Sequence, residues 1–277
     1  MDIIGIMQGR LSPPRTDRIQ GFPWTSWEQE FEHAADIGYG AIEWLFEAEK
    51  FEENPIWNKS GRRRILERSF ETGVATPSIC ADYFMEKPFF RVESEEAEHS
   101  SNTLVQLIDY SAEVGADCIL LPVLEVAEIK SEQDADNLLR YLEKPLKRAE
   151  ECGVDIGIET ELRASEYAAL VQKASSPRCG VYLDLGNATA KGYNVSSDIA
   201  DYNDALCGIH IKDRVLGGPS VLLGTGDLDV EGVFGALSAV GYKRSCILQT
   251  AFTDKYLDIA KDNLKMVEQV LSSIKRD

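Results

Sequence analysis

Histidine is scarce in this chain of 277 residues: there are three, His33, His99 and His210. A cluster of several imidazole-bound metals has no residues to build it. Paired cysteines are missing too. The six cysteines are scattered without a CxxC, which excludes a zinc-thiolate site and a disulfide framework. Cys80, Cys118, Cys207 and Cys246 sit in or beside apolar runs, the pattern of buried reduced thiols. No apolar run approaches the roughly 18 residues of a membrane span, and no cationic segment with a following apolar stretch opens the chain, so a cytoplasmic protein is expected. Positive charge is in short supply, with 29 Lys and Arg against 47 Asp and Glu, a net charge of −18. Such a surface repels phosphate backbones and anionic lipid, so neither nucleic acid nor a membrane is an expected partner.

A glycine-rich phosphate loop after the first strand is also absent: that strand ends in MQGRLSPP. A doubly wound open sheet would want one there. What the chain does have is eight short apolar runs with strand character. They are Ile3–Met7, Ala41–Leu45, Val74–Cys80, Cys118–Leu124, Asp155–Thr160, Gly180–Leu185, Cys207–Ile211 and Cys246–Thr250. Helical periodicity fills the intervals, over Ser26–Ile37, Leu104–Val114, Asp134–Glu151, Glu166–Ala174, Val230–Val240 and Tyr256–Ile274. Ser26 is placed as an N-cap with Gln29 for a capping box. The phrases IGYG, EVGAD, ECGVD and AVGYK each put glycine between a helix end and the next strand. Strict strand–helix alternation predicts a parallel sheet with right-handed crossovers, and eight units predict a closed (β/α)₈ TIM barrel as one domain over residues 1–277. The stretches Ser12–Trp24, Ala81–Glu93 and Arg214–Asp229 are candidate active-site loops.

In such a barrel, function gathers at the C-terminal ends of the strands. Glu159 ends the fifth strand and Asp184 the sixth, while His210 lies on the seventh and Gln249 on the eighth. Each interrupts an apolar run, where an unpaired charge is costly. Two carboxylates, an imidazole and an amide oxygen from consecutive strands make an oxygen/nitrogen site for Mn²⁺, Mg²⁺ or Co²⁺. Each residue singly has a bland reading as a cap or an ion-pair partner; the four together point to one divalent metal.

The segments MQGRLSPP, AIEWL, IET, YLDLGN, HIKDR and LGTGDLDVEGVFGAL resemble the xylose-isomerase-like barrel superfamily of sugar phosphate isomerases and epimerases. The resemblance covers essentially the whole chain and is most specific in HIKD followed by LGTGDLD. It lies toward the branch of hydroxypyruvate isomerase, tagatose-type 3-epimerases and L-ribulose-5-phosphate 3-epimerase. It implies a single metal, Mn²⁺ first with Mg²⁺, Co²⁺ or Zn²⁺ as alternatives, held by Glu159, Asp184, His210 and a second glutamate. That last position falls on Gln249, a departure. In the family's epimerases the two glutamates act as acid and base on opposite faces of the substrate. Gln249 can lend an oxygen to a cation but cannot take a proton, so weaker metal binding and the loss of one base are expected. The implied activity is isomerisation or epimerisation of a small sugar or sugar phosphate through an enediolate, with Glu159 as base.

Other positions follow. Glu161, two residues on and facing the same way, is a candidate replacement acid or a helix cap. Lys212 shares the inward face with His210 and offers a hydrogen bond to a substrate oxygen; Asp213 is placed to orient a ligand. Arg214 and Asn187 carry substrate-binding roles by resemblance, as does Glu43 on the second strand. Gln8 and Arg10 close the first strand, with Arg10 suited to a phosphate or carboxylate. Gly224 and Gly226 of LGTGD form a tight loop whose N–H groups could cradle a phosphate, or a sharp turn before a helix. A metal-dependent dehydratase of a keto-sugar or keto-inositol and a non-catalytic sugar-binding barrel stay open as alternatives, and assembly as a homodimer or homotetramer is expected from related barrels.

Overall fold

A computed structural model describes residues 3–14 and 20–274 of the chain. The first candidate loop, Ser12–Trp24, is thus only partly covered: its residues 15–19 lie outside the described residues.

Eight parallel strands close into a barrel. They are β1 (Ile4–Met7), β2 (Ala41–Leu45), β3 (Ser78–Cys80), β4 (Cys118–Val123), β5 (Asp155–Thr160), β6 (Cys179–Asp184), β7 (Leu206–Ile211) and β10 (Cys246–Leu248), with β10 hydrogen-bonded to β1 across the closure. Between β7 and β10 the chain makes a small antiparallel hairpin of β8 (Asp213–Arg214) and β9 (Ser220–Val221). Around the barrel run α1 (Trp27–Ile37), α2 (Lys59–Thr72), α4 (Ser94–Val114), α5 (Glu132–Cys152), α6 (Ala164–Lys173), α8 (Val195–Tyr202), α9 (Val230–Ala239) and α10 (Tyr256–Ile274). Two short helices, α3 (Tyr83–Glu86) and α7 (Leu185–Ala190), lead directly from strand ends. No described helix is long and apolar enough to cross a membrane.

The strands are buried on both faces, which is why they read as apolar runs and not as alternating patterns. The junction glycines Gly38, Gly115, Gly153 and Gly241 all take positive φ, as IGYG, EVGAD, ECGVD and AVGYK predict. Three expectations need adjustment. The third strand is shorter than Val74–Cys80, because Pro77 lacks the N–H that would carry the ladder upstream; only an isolated bridge joins Ala75 to Ala41. The eighth strand stops at Leu248, although the Gln249 N–H still donates to the Ile211 carbonyl at 3.0 Å. Ser26 stands at the N-cap of α1 but does not cap it: its hydroxyl pairs with Ser12 Oγ at 2.8 Å.

One close approach inside the barrel depends on a missing side chain. Tyr182 and Gly208 are register neighbours, and the Tyr182 ring lies across Gly208. A Cβ at Gly208 would stand 2.2 Å from Tyr182 Cε2. The missing side chain lets the phenol reach inward to Glu43, 2.5 Å away. We expect Gly208→Ala to destabilise the fold by about 1–3 kcal/mol, the usual cost of overpacking a filled interior. Urea unfolding measures this; an unchanged midpoint would remove the packing argument.

Candidate active site

Three of the four residues expected at the metal come together at the C-terminal mouth of the barrel. Ligand atoms of Glu159, Asp184 and His210 all lie within 4.8 Å of one another. The three residues are buried, with relative exposures of 6%, 4% and 0%. Adjacent strands position them: Asp184 and His210 are register partners across β6 and β7, and Glu159 is the penultimate residue of β5.

Two buried atoms in this cluster make no hydrogen bond, His210 Nδ1 and Asp184 Oδ2; they face each other at 3.9 Å, and the charge on Oδ2 is balanced by the Lys212 ammonium at 2.6 Å. Buried polar atoms are rarely left so. The other edge of the imidazole is tightly held, with Nε2 2.5 Å from Glu43 Oε1. Glu43 also accepts from Ser78 Oγ at 2.6 Å and from the Tyr182 hydroxyl. A carboxylate surrounded by donors places the proton on Nε2, which leaves the Nδ1 lone pair free toward Asp184 and Glu159. Two carboxylates, an imidazole nitrogen and a carboxylate behind that imidazole suit a divalent cation.

Glu43 therefore belongs beneath the site. It is 0% exposed and its oxygens are engaged, so the substrate contact expected of it is replaced by a hold on His210. Ser78 and Tyr182 complete this support and were not anticipated, although Tyr182 lies two residues before Asp184 and strand alternation puts both on one face.

Asn187 and Arg214 act on Glu159. Asp184 caps the short helix α7 by accepting from Asn187 N at 2.8 Å, and the Asn187 amide then donates to Glu159 Oε1 at 3.1 Å. Arg214 Nη1 holds the Asn187 oxygen at 2.8 Å, while its Nε and Nη2 donate to the Gly218 carbonyl of the hairpin.

Gln249 joins the cluster through Lys212. The Lys212 ammonium lies 2.6 Å from Asp184 Oδ2, as an ion pair outside hydrogen-bond alignment, and donates to Gln249 Oε1 at 3.0 Å. The Gln249 amide nitrogen donates in turn to Gln20 Oε1 at 3.0 Å, and Gln20 donates to Asp82 Oδ2 at 2.6 Å. Gln20 and Asp82 were not singled out individually, but both lie in the candidate loops Ser12–Trp24 and Ala81–Glu93. Arg10 also reaches this chain, with Nη2 3.3 Å from Gln20 Oε1 and Nε 3.0 Å from the Thr250 carbonyl. Gln8 is buried, and its oxygen accepts from Leu45 N at 2.9 Å.

Two expectations are corrected. The Glu161 carboxylate pairs with Lys191 at 2.7 Å, and the N-cap of α6 is Arg163, so Glu161 is an ion-pair partner and not the helix cap. The Gly224 and Gly226 amides do not await a phosphate. They donate to Asp213 Oδ2 at 2.9 and 2.8 Å, and Leu228 N donates to Oδ1. The anion in the glycine loop is a residue of the chain itself, and a Cβ at Gly226 would meet it at 2.2 Å.

The electrostatics follow from burial. Desolvation, reinforced by the Asp184 charge, pushes the Glu159 carboxyl up to about 8. Burial disfavours a charged His210, but the Glu43, Glu159 and Asp184 carboxylates together outweigh it and the imidazole pKa rises. The metal-free cluster therefore retains protons near neutrality that a cation must displace. We expect apparent Mn²⁺ affinity to rise with pH between about 6 and 8 with proton release, seen by calorimetry in buffers of different ionisation enthalpy. A pH-independent affinity would contradict it. We further expect Glu43→Gln to weaken Mn²⁺ binding about 10–100-fold while the fold persists by circular dichroism. An unaltered affinity would show that Glu43 does not orient His210.

With this geometry in view, the comparisons with known proteins fall into place. The family profile described as xylose isomerase-like TIM barrel matches residues 31–270. The putative L-ribulose-5-phosphate 3-epimerase SgbU of Escherichia coli K12 is 24% identical over 238 residues, covering 81% of this chain and 83% of SgbU. Among solved structures, an L-ribulose 3-epimerase superposes with a TM-score of 0.80 at 17% identity, covering 100% of this chain and 96% of its own. A D-psicose 3-epimerase of Clostridium cellulolyticum H10, solved with D-tagatose, gives 0.77 at 16% identity, covering 97% and 99%. The closed barrel and the matched span agree: this chain belongs to the xylose isomerase-like TIM-barrel family.

Proposed function

We propose that the protein is a divalent-metal-dependent isomerase or epimerase of a small sugar or sugar phosphate, with Glu159 as the base. The observation that supports this reading most is the convergence of buried Glu159, Asp184 and His210, whose ligand atoms lie within 4.8 Å of one another while His210 Nδ1 makes no hydrogen bond. Such a donor set fits a divalent ion, Mn²⁺ first. A cation bound there supplies Lewis-acid polarisation of a carbonyl and stabilises the negative charge that develops when a neighbouring C–H is lost.

The chain's own residues do the rest. In the metal-free cluster burial and the Asp184 charge raise the Glu159 carboxyl to about 8, a bound cation would favour its charged, basic form, and the Asn187 amide holds its Oε1 so that the other oxygen can turn to the substrate. Lys212 faces the same space and offers its N–H groups to a substrate oxygen. Burial of the cluster keeps bulk water from competing for these contacts. Gln249 bears on which reaction follows, since an amide returns no proton to the opposite face of the substrate. Proton transfer by Glu159 alone on one face interconverts a ketose with its neighbouring carbonyl isomer. Inversion at one carbon, the reaction named for SgbU, needs a second proton donor.

Deuterium exchange tests this. The Mn²⁺-loaded protein is incubated in deuterated water with a panel of ketoses and ketose phosphates, and C–H exchange is followed by NMR. We expect exchange next to the carbonyl with at least one member, and a loss of about 10²–10⁴-fold in Glu159→Gln. No exchange with any member would overturn the reading and favour a sugar-binding barrel. An enone-type ultraviolet absorbance would instead favour dehydration.

A further inference from the structure

Inverting a carbon beside a carbonyl by proton transfer takes two groups, one for each face. Glu159 is one. Of the other carboxylates placed near the mouth, Glu43 is taken up beneath His210, Asp184 faces the cation cluster, Glu161 is held by Lys191 and Asp213 fills the glycine loop. Asp82 is left. It lies two residues beyond Cys80, the last residue of β3, and α3 begins immediately after it. Cys80 is buried, and the Glu43 and Glu159 charges act on its thiol, so this parity of the chain faces the barrel interior. Asp82 looks the same way: its charge acts on Glu159, and it feels His210 and Glu43 in turn. Unlike Glu43, it keeps partial exposure at the strand end.

Two neutral donors orient the carboxyl. The Cys80 thiol donates to Oδ1 at 3.1 Å and the Gln20 amide to Oδ2 at 2.6 Å. The Arg10 guanidinium is near enough to feel the Asp82 charge, but its hydrogen bonds go to Gln20 and the Thr250 carbonyl. Burial raises the Asp82 carboxyl above its ordinary value, against the two hydrogen bonds that favour the anion, which brings the protonated form within reach. The position is also suitable. In the ring of strands β1 stands opposite β5, and Gln20, in the segment after β1, ties Asp82 Oδ2 to the Gln249 amide. The chain Asp82–Gln20–Gln249 thus lines the side of the mouth that faces Glu159, and Asp82 is its one ionisable member.

We propose that Asp82 is the second acid–base residue of the site, facing Glu159 across the substrate and performing the proton transfer that Gln249 cannot. The proposal rests on the reading of the cluster as a ketose-acting site with Glu159 as base. Glu159 takes the proton as the C–H bond breaks, and the electron pair moves into the carbonyl to give an enediolate. The Asp82 O–H bond then breaks, its proton forms the new C–H bond on the opposite face, and the carbonyl re-forms. Glu159 ends protonated and Asp82 ionised; the reverse turnover, or exchange with solvent, restores the starting state. One proton is shared between two carboxyls, and each is the base for one of the two epimers.

The test follows exchange and inversion together. The Mn²⁺-loaded full-length chain is incubated in deuterated water with the ketoses and ketose phosphates of the panel and with their epimers at the carbon beside the carbonyl, and NMR reads label and configuration. In the unaltered protein, inversion is expected, with solvent label entering the inverted product before the recovered substrate. Asp82→Asn is expected to lose about 10²–10⁴-fold in inversion while still exchanging the epimer that Glu159 deprotonates. Glu159→Gln should show the mirror image, with exchange surviving in the epimer that Asp82 deprotonates. A merely structural Asp82 would lower both exchanges together. Asp82→Glu, which keeps a carboxyl, should recover part of the inversion. Undiminished inversion in Asp82→Asn, or equal loss of both exchanges with an unchanged circular dichroism spectrum, would overturn the assignment. Should Asp82→Asn fail to fold, the label pattern of the unaltered protein decides: equal label in substrate and product means one base and also overturns it. Exchange without inversion would remove the role of Asp82 and leave the isomerase reading standing. No exchange with any sugar would reject the reading of the cluster itself.

Discussion

The geometry of the candidate site depends on a carboxylate buried beneath it. Glu43 sits inside the barrel with no exposure, between the hydroxyls of Ser78 and Tyr182 and the Nε2 edge of His210. A carboxylate in that position is tolerable because donors surround it. Its consequence is directional. With Nε2 engaged, the imidazole can neither rotate nor change tautomer without breaking the contact, and Nδ1 is left facing Asp184. Gly208, Tyr182, Glu43 and His210 form a stack, with the histidine at the candidate metal cluster.

The other two residues of the candidate metal cluster are held by similar economy of parts. Asp184 ends β6 and also caps α7, so one side chain starts a helix and faces the cluster. That helix presents Asn187 to Glu159, and Arg214 locks Asn187 from the hairpin. Asp213, next to Arg214, organises the LGTGD loop through three backbone N–H groups. The HIKDR segment thus carries four polar residues with four different partners. Its alternating pleat sends His210 and Lys212 to the cluster, while Asp213 turns to the loop.

Gln249 is where this chain departs from the pattern that its family resemblance implies. Its amide is oriented by partners on both sides, the Lys212 ammonium at the oxygen and the Gln20 oxygen at the nitrogen. A carboxylate in its place would put a second acceptor where the Gln20 oxygen now needs a donor. The glutamine is therefore integrated into a polar chain that runs to Asp82 and Arg10, and the mouth of the barrel is organised around a neutral link between two charged regions.

Sequence alone determined the fold and, in outline, which residues form the candidate cation cluster. The repeated alternation of apolar strand runs with helical segments calls for a parallel sheet covered on both faces, and eight such units without a glycine-rich loop after the first strand point to its closure as a barrel. Polar residues that interrupt those runs at strand ends must converge there, which is why Glu159, Asp184 and His210 were legible. The tertiary structure decided what each polar group spends its hydrogen bonds on. Glu43 looked like a pocket residue and turned out to lie beneath His210. Glu161 shares strand parity with Glu159 yet is drawn off by Lys191, and the glycine-loop amides are taken by Asp213. Spacing along the chain sets which face a side chain takes, but the partner it meets there comes from residues tens to hundreds of positions away. Glu43 and His210 are 167 apart, and only closure of the barrel brings them into contact.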